Sequence, residues 1–124
     1  MNYSGVANSE PTLDKLTMNG AIVKPVGAFT ALAGGGQAGA TLLTSQIAKV
    51  GTVATAGDSV LLPLSTPGHE RIVVNASANS MNVFPQTGDT INALSANAAF
   101  AMAAGKTAHF YCPAAGQWFC NLSA

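Results

Sequence analysis

Short apolar segments separated by turn residues recur from Ala40 to the end of this 124-residue chain. They are spaced by roughly 8–12 residues, which is typical of the strands of a β-sandwich or β-barrel. The pattern predicts about seven or eight strands, enough for a single all-β sandwich of jelly-roll type. The predicted segments lie at 41–53, 59–63, 71–75, 81–84, 90–94, 99–102, 107–112 and 117–122.

The last predicted hairpin shows the clearest alternation of side chains. Ala108, Phe110 and Cys112 fall on one face of its first strand, and Trp118 and Cys120 share a face on its second. These faces should point inward, together with apolar positions of the earlier strands. The predicted core residues are Val60, Leu62, Ile72, Val74, Phe110 and Trp118.

Residues 93–104 allow two interpretations because alanine dominates them. Alanine is the strongest helix former, so a short helix is the alternative. We favour a strand with flanking loops, since Gly105 and the nearby Asn and Ser residues are typical of loop positions.

The first part of the chain has a different texture. Residues 1–33 contain prolines and many Ser, Asn and Thr residues, which predict an irregular, extended arm. Within it, 12–16 could form one helical turn, and 21–24 could form a short strand ended by Pro25.

A glycine cluster follows the arm and predicts a flexible hinge, so the chain divides into an arm with its hinge (1–39) and a β-sandwich domain (40–124). The arm is too apolar for a typical disordered tail. We therefore expect it to become ordered against a neighbouring subunit or shell protein. The apolar side chains expected to make that contact are Leu13, Leu16, Ile22, Val23 and Phe29.

Charge is scarce in this sequence. Charged residues make up 8% of the chain and hydrophobic residues 48%, whereas about 25% charged is usual for a soluble domain. The net charge is zero, and the lysines and arginine are spread singly, so we expect no nucleic-acid partner. A weakly charged, apolar chain is typical of an assembly component, which predicts a homo-oligomer.

Membrane and secretory signals are not visible in the sequence. The longest apolar run, 98–104, is far shorter than the roughly 20 residues needed to cross a bilayer. The first residues lack the basic and apolar regions of a signal peptide. We expect synthesis in a cytosol and no membrane partner.

Two glycine motifs suggest nucleotide chemistry but lack its context. Residues 34–39 match the dinucleotide-binding pattern, with Asp58 about where a ribose-binding acid would lie. That pattern requires a βαβ unit, and the chain offers β hairpins. Residues 104–107 end like a phosphate-binding loop, but Phe100 replaces its first glycine and a predicted strand follows. A hinge and a hairpin turn are the preferred interpretations.

The titratable residues form no catalytic or metal-binding pattern. The acidic residues each lie beside turn residues, and His69 and His109 are not spaced with other ligands. We therefore expect no enzyme activity, no cofactor and no metal.

The two cysteines leave a choice of register open. A three-residue loop would place Cys112 opposite Cys120 and allow a disulfide, whereas a two-residue loop would pair Cys112 with Phe119. Cytosolic synthesis favours free, buried thiols.

Several blocks together resemble a module of phage virion proteins. They are 56–63, 71–75, 83–94 and 98–118, within a region from Ile47 to Leu122. The chain is similar to the small capsid decoration, or cement, proteins of tailed bacteriophages.

The resemblance implies a β-sandwich, often of jelly-roll type, that forms a homotrimer on the outer surface of the virion head and binds the major capsid protein without catalysis. The arm would then supply the capsid contacts. The alternative is a receptor- or carbohydrate-binding module of a tail fibre or spike, for which clustered aromatic or acidic residues would be expected.

Overall fold

The computed structural model of the protein describes residues 12–124, and every regular element in this range is a β-strand. The all-β prediction is therefore confirmed, and the alanine-rich stretch contains a strand rather than a helix. The strands are β1 (Val26–Thr30), β2 (Thr41–Leu42), β3 (Ile47–Thr52), β4 (Asp58–Leu61), β5 (Glu70–Asn75), β6 (Met81–Phe84), β7 (Thr90–Ile91), β8 (Phe100–Met102), β9 (Thr107–Ala114) and β10 (Gln117–Leu122).

The strands form two sheets that the chain enters alternately. A six-stranded sheet has the order β1-β3-β5-β9-β10-β7, and a four-stranded sheet has the order β2-β4-β6-β8. From β1 to β6 each coil of the chain adds one strand to each sheet, and equivalent strands of successive coils pair in parallel. This stacking resembles that of a β-solenoid.

The predicted jelly-roll connectivity is wrong for this reason. A jelly roll is built from antiparallel strands, but five of the eight strand pairings here are parallel. The turns after β1 to β5 send the chain to the opposite sheet instead of back along the same one. Among the described strands, antiparallel ladders occur only where β8, β9 or β10 takes part, and β9 and β10 form the predicted hairpin.

The core lies between the two sheets. Of the predicted core residues, Val60, Leu62, Phe110 and Trp118 are fully buried there. Ile72 and Val74 are not, since both are half-buried.

Strand β5 has the opposite phase to the predicted one. Val73 faces the core, flanked by buried Arg71 and Asn75. Asn75 favours this phase, because its side-chain amide donates to the carbonyl oxygens of Met102 (3.2 Å) in the other sheet and Ala103 (3.2 Å) just after it. Because three successive residues of this strand are apolar, no alternation in the sequence indicates which of its faces points to the core.

The folded body begins before the predicted boundary at residue 40, because part of the predicted arm (1–33) is a strand. Residues 12–25 have neither the helical turn nor the short strand expected at 21–24. A strand begins only after Pro25, and β1 pairs with β3 in the six-stranded sheet, so 26–30 belong to the folded body.

The glycine cluster is an anchored loop rather than a free hinge. Gly35 has a φ of +70°, and a Cβ atom there would lie 2.8 Å from the carbonyl oxygen of Gly57. Gly34 has a φ of +89°, but a Cβ atom there would meet nothing within 4 Å. Both positions favour glycine for conformation, and only Gly35 also requires it for space.

This difference predicts unequal losses of stability. Gly34→Ala should cost about 1–2 kcal/mol for the left-handed backbone alone. Gly35→Ala should lower the free energy of unfolding by at least about 1 kcal/mol more than Gly34→Ala does, because its Cβ atom would also be overpacked against Gly57. Urea denaturation of the two variants measures the difference in their free energies of unfolding. Equal losses of stability would show that the backbone at Gly57 can move away from the added Cβ atom at little cost.

Candidate functional surfaces

The arm presents its apolar side chains to solvent. Leu13, Leu16, Ile22 and Val23 are 59%, 66%, 64% and 89% exposed, respectively. Four of the five residues expected to make external contacts are therefore accessible. Phe29 is the exception, since it lies in β1 and packs partly buried against the core.

Backbone groups of the glycine motif form hydrogen bonds with other residues of the chain. The buried carboxylate of Asp58 accepts hydrogen bonds from the backbone amides of Gly34 (3.1 Å) and Thr55 (3.0 Å). The hydroxyl of Ser59 donates to the carbonyl oxygen of Gly36 (2.7 Å). Strand β2 rather than a helix follows the loop. Asp58 thus binds the glycine loop, and the spacing that resembles a dinucleotide motif reflects the length of one coil.

The turn at 104–107 also uses its backbone amides internally. Gly105 donates to the carbonyl oxygen of Asn75 (2.9 Å), Lys106 to that of Ala103 (3.3 Å) and Thr107 to the hydroxyl of Ser123 (2.9 Å). Amides that already have partners do not cradle a phosphate. The turn instead joins the ends of β5 and β8 to β9.

The cysteines are free thiols in a register that neither simple loop predicts. Gln117 pairs with Ala114 across a two-residue loop, but a bulge at Cys112 and Pro113, opposite Trp118, then places Phe119 opposite Tyr111 and Cys120 opposite Phe110. Cys112 is buried and Cys120 is half-buried.

The two histidines lie on opposite sides of the six-stranded sheet. Nε2 of His109 lies 2.9 Å from a carboxylate oxygen of Glu70 on the outer face. The ring of His69 stacks on the buried Trp118 with centroids 6.4 Å apart. Within residues 12–124, no group of three or more His, Cys, Asp or Glu side chains is arranged to hold a metal.

An exposed aromatic pair was missed in the sequence analysis. Tyr111 and Phe119 are each 37% exposed, and their rings stack at 6.4 Å with an interplanar angle of 23°. The register places Glu70 and Tyr111 opposite each other, so the Glu70–His109 pair adjoins the rings. Alternation along β9 already put 109 and 111 on the outer face, but their meeting with Phe119 depended on the bulge.

A shallow groove of about 290 Å³ lies near the edge strand β1. Lys49 provides the one charged side chain in its lining, so the groove contains no acid–base pair. It is lined by Ala28, Phe29, Thr30, Lys49, Gly51 and Thr52.

No protein-family model matches the chain, and a search of curated proteins finds no similar sequence. In the part of the chain that the structure describes, no helix is long and apolar enough to span a membrane.

Thiol burial predicts a pH dependence of stability. Burial raises the pKa of both Cys112 and Cys120 above the ordinary 9.0, and Asp89 adds to the effect at Cys112. Above about pH 9 the unfolded chain therefore loses thiol protons before the folded chain does, so the free energy of unfolding should fall as pH rises.

Urea unfolding from pH 7.5 to 10.5 measures this slope against a Cys112→Ala/Cys120→Ala variant, which retains all other titrating groups. The wild type should lose more stability than the variant over this range. Parallel curves would contradict a thiol contribution.

Proposed function

We propose that this protein is a non-enzymatic structural component that decorates and stabilises the head of a tailed bacteriophage by bridging major capsid subunits. The observation that carries the proposal is the exposed apolar arm, in which Leu16 and Val23 are 66% and 89% exposed. Burial of such side chains is worth about 1.5–3 kcal/mol each, so a surface that covers them gains substantial binding free energy.

The outer face and the edge of the six-stranded sheet support self-association. Strand β1 lies at the end of the described sheet order and contains no charged residue. An uncharged edge strand is readily covered by another chain. A homotrimer would bury such edges and part of the outer sheet face around one axis.

The low charge suits close packing on a shell. With 8% charged residues and zero net charge, neighbouring copies repel each other little. A head filled with DNA is under outward pressure, and a protein that binds only the closed, expanded shell stabilises that state by its binding free energy. The folded body would act as the rigid part and the arm as the attachment.

A second candidate is a receptor- or carbohydrate-binding module of a tail fibre or spike. The stacked Tyr111 and Phe119 favour it, because exposed rings beside the hydrogen-bonding pair Glu70 and His109 can contact both the apolar and the hydroxylated parts of a sugar. The pair is small and only partly exposed, so we rank this candidate second.

The arm predicts a selective loss of shell binding. Leu16→Asn combined with Val23→Asn should weaken binding to undecorated expanded heads at least about tenfold, since two buried contacts are lost. The melting temperature should not change, because both side chains are exposed in the free protein. Leu64→Asn is the matched control, as Leu64 is 72% exposed outside the arm.

The same labelled proteins are incubated with host cells to separate the two candidates. Retention by heads that depends on the arm supports the head role. Retention by cells that is lost in Phe119→Ala, with no retention by heads, would establish the second candidate instead.

A further inference from the structure

Arg71 carries a positive charge into the interior of the sandwich. Its side chain is 9% exposed and lies on the inner face of β5, beside the buried Val73. Burial lowers the pKa of Arg71, although a guanidinium remains charged at any physiological pH. A buried charge is costly unless a group of opposite charge pairs with it.

The acceptors around Arg71 are neutral. Nη1 donates to the carbonyl oxygen of Glu70 (3.0 Å) and lies 3.5 Å from Nε2 of His69. Nε has no hydrogen-bond partner among the described residues. Within residues 12–124 no carboxylate forms an ion pair with Arg71, since the Glu70 carboxylate faces the other side of the sheet and pairs with His109.

A second unpaired donor lies next to the same imidazole. Trp118 is fully buried, and its Nε1 has no acceptor in the described part of the chain. The ring of His69 stacks on Trp118 while its Nε2 faces Arg71. Two buried N–H groups without acceptors therefore flank His69, where the interior has a surplus of donors and of positive charge.

We propose that the unpartnered N–H groups of Arg71 and Trp118, on either side of His69, form a binding site for a carboxylate group. A carboxylate is an acceptor-only anion whose two oxygens match the planar N–H edge of a guanidinium. Arg71 would bind it through Nε and the neighbouring Nη, and the indole N–H would approach its second oxygen. The carboxylate would come either from a free small molecule or from an acidic side chain of a partner protein.

This site does not depend on the capsid role. Under that role the carboxylate would belong to an acidic residue of the shell protein, bound near the body while the arm binds elsewhere. Loss of arm-dependent head binding and loss of carboxylate binding are separate results, because the arm variants leave Arg71 unchanged.

The single tryptophan makes the site directly observable. The ¹⁵N-labelled full chain is titrated with sodium acetate, with sodium chloride and acetamide as controls for ionic strength and shape. A short peptide with one Glu, and its Gln counterpart, tests a carboxylate carried by a protein. The indole N–H signal should shift saturably with acetate or the Glu peptide, and not with any control.

Arg71→Met should abolish that saturable shift, whereas Lys49→Met, which removes an exposed cation on a neighbouring strand, should retain it. Without added anion, Arg71→Met should melt at a higher temperature than the wild type, because it removes an unpaired buried charge. Arg71→Gln provides the same titration if the methionine variant does not fold.

The proposal is overturned if neither carboxylate gives a saturable shift, if chloride or acetamide gives the same shift, or if the shift persists without Arg71. Glu10 lies outside the described residues, so Glu10→Gln is titrated as well. A Glu10→Gln protein that binds acetate when the wild type does not would mean that the chain fills the site itself, which would also overturn it.

Discussion

The stacking of the coils depends on the buried carboxylate of Asp58. It accepts amide hydrogen bonds from Gly34 on one coil and from Thr55 in the turn that precedes β4. These two amides satisfy its oxygen atoms, as buried polar groups require. The adjacent Ser59 bridges to Leu32 and binds the carbonyl oxygen of Gly36. These bonds hold the loop of the first coil against that of the second, where β1 pairs with β3 and β2 pairs with β4 in parallel.

Asn75 performs a related role where β5 ends. Its amide links the six-stranded sheet to the carbonyl oxygens of Met102 and Ala103, and its side-chain oxygen accepts from Ser77. Asn79 extends the network to the carbonyl oxygen of Val53. Polar side chains thus tie the turns to the sheets, while the space between the sheets remains largely apolar. Among the described residues Asp58 and Arg71 are both buried, but Asp58 accepts two amide hydrogen bonds whereas Nε of Arg71 has no partner, which is why the environment of Arg71 points to a ligand.

The body and the arm are suited to different tasks. In the folded body, residues 26–124, internal hydrogen bonds connect the loops to the strands. Backbone amides of both nucleotide-like motifs take part in these bonds. The arm, in contrast, places Leu16 and Val23 in solvent. A rigid body with an apolar attachment segment is the physical basis of the proposed structural role. The aromatic pair Tyr111 and Phe119 supplies the contrasting basis for a recognition role.

Much of the local structure could be predicted from the sequence. The segments 81–84 and 117–122 coincide with β6 and β10, because turn residues bound them and β-forming residues fill them. Alternation also placed Phe110 and Trp118 inward. Which residues of β5 face the core could not be predicted, since Ile72, Val73 and Val74 are equally apolar. The hydrogen bond from Asn75 to Met102 in the other sheet favours the orientation in which Val73 points inward.

By itself, then, the sequence determined the strand content, the turns, the low charge and the apolar arm, all of which follow from residues close together in the chain. Only the tertiary structure decided the parallel coils in place of a jelly roll, the bulge that separates Cys112 from Cys120, and the meeting of Arg71, His69 and Trp118. The physical reason is that strand direction, register and the partners of buried polar groups depend on hydrogen bonds between distant residues. The local periodicity of apolar residues does not predict those bonds.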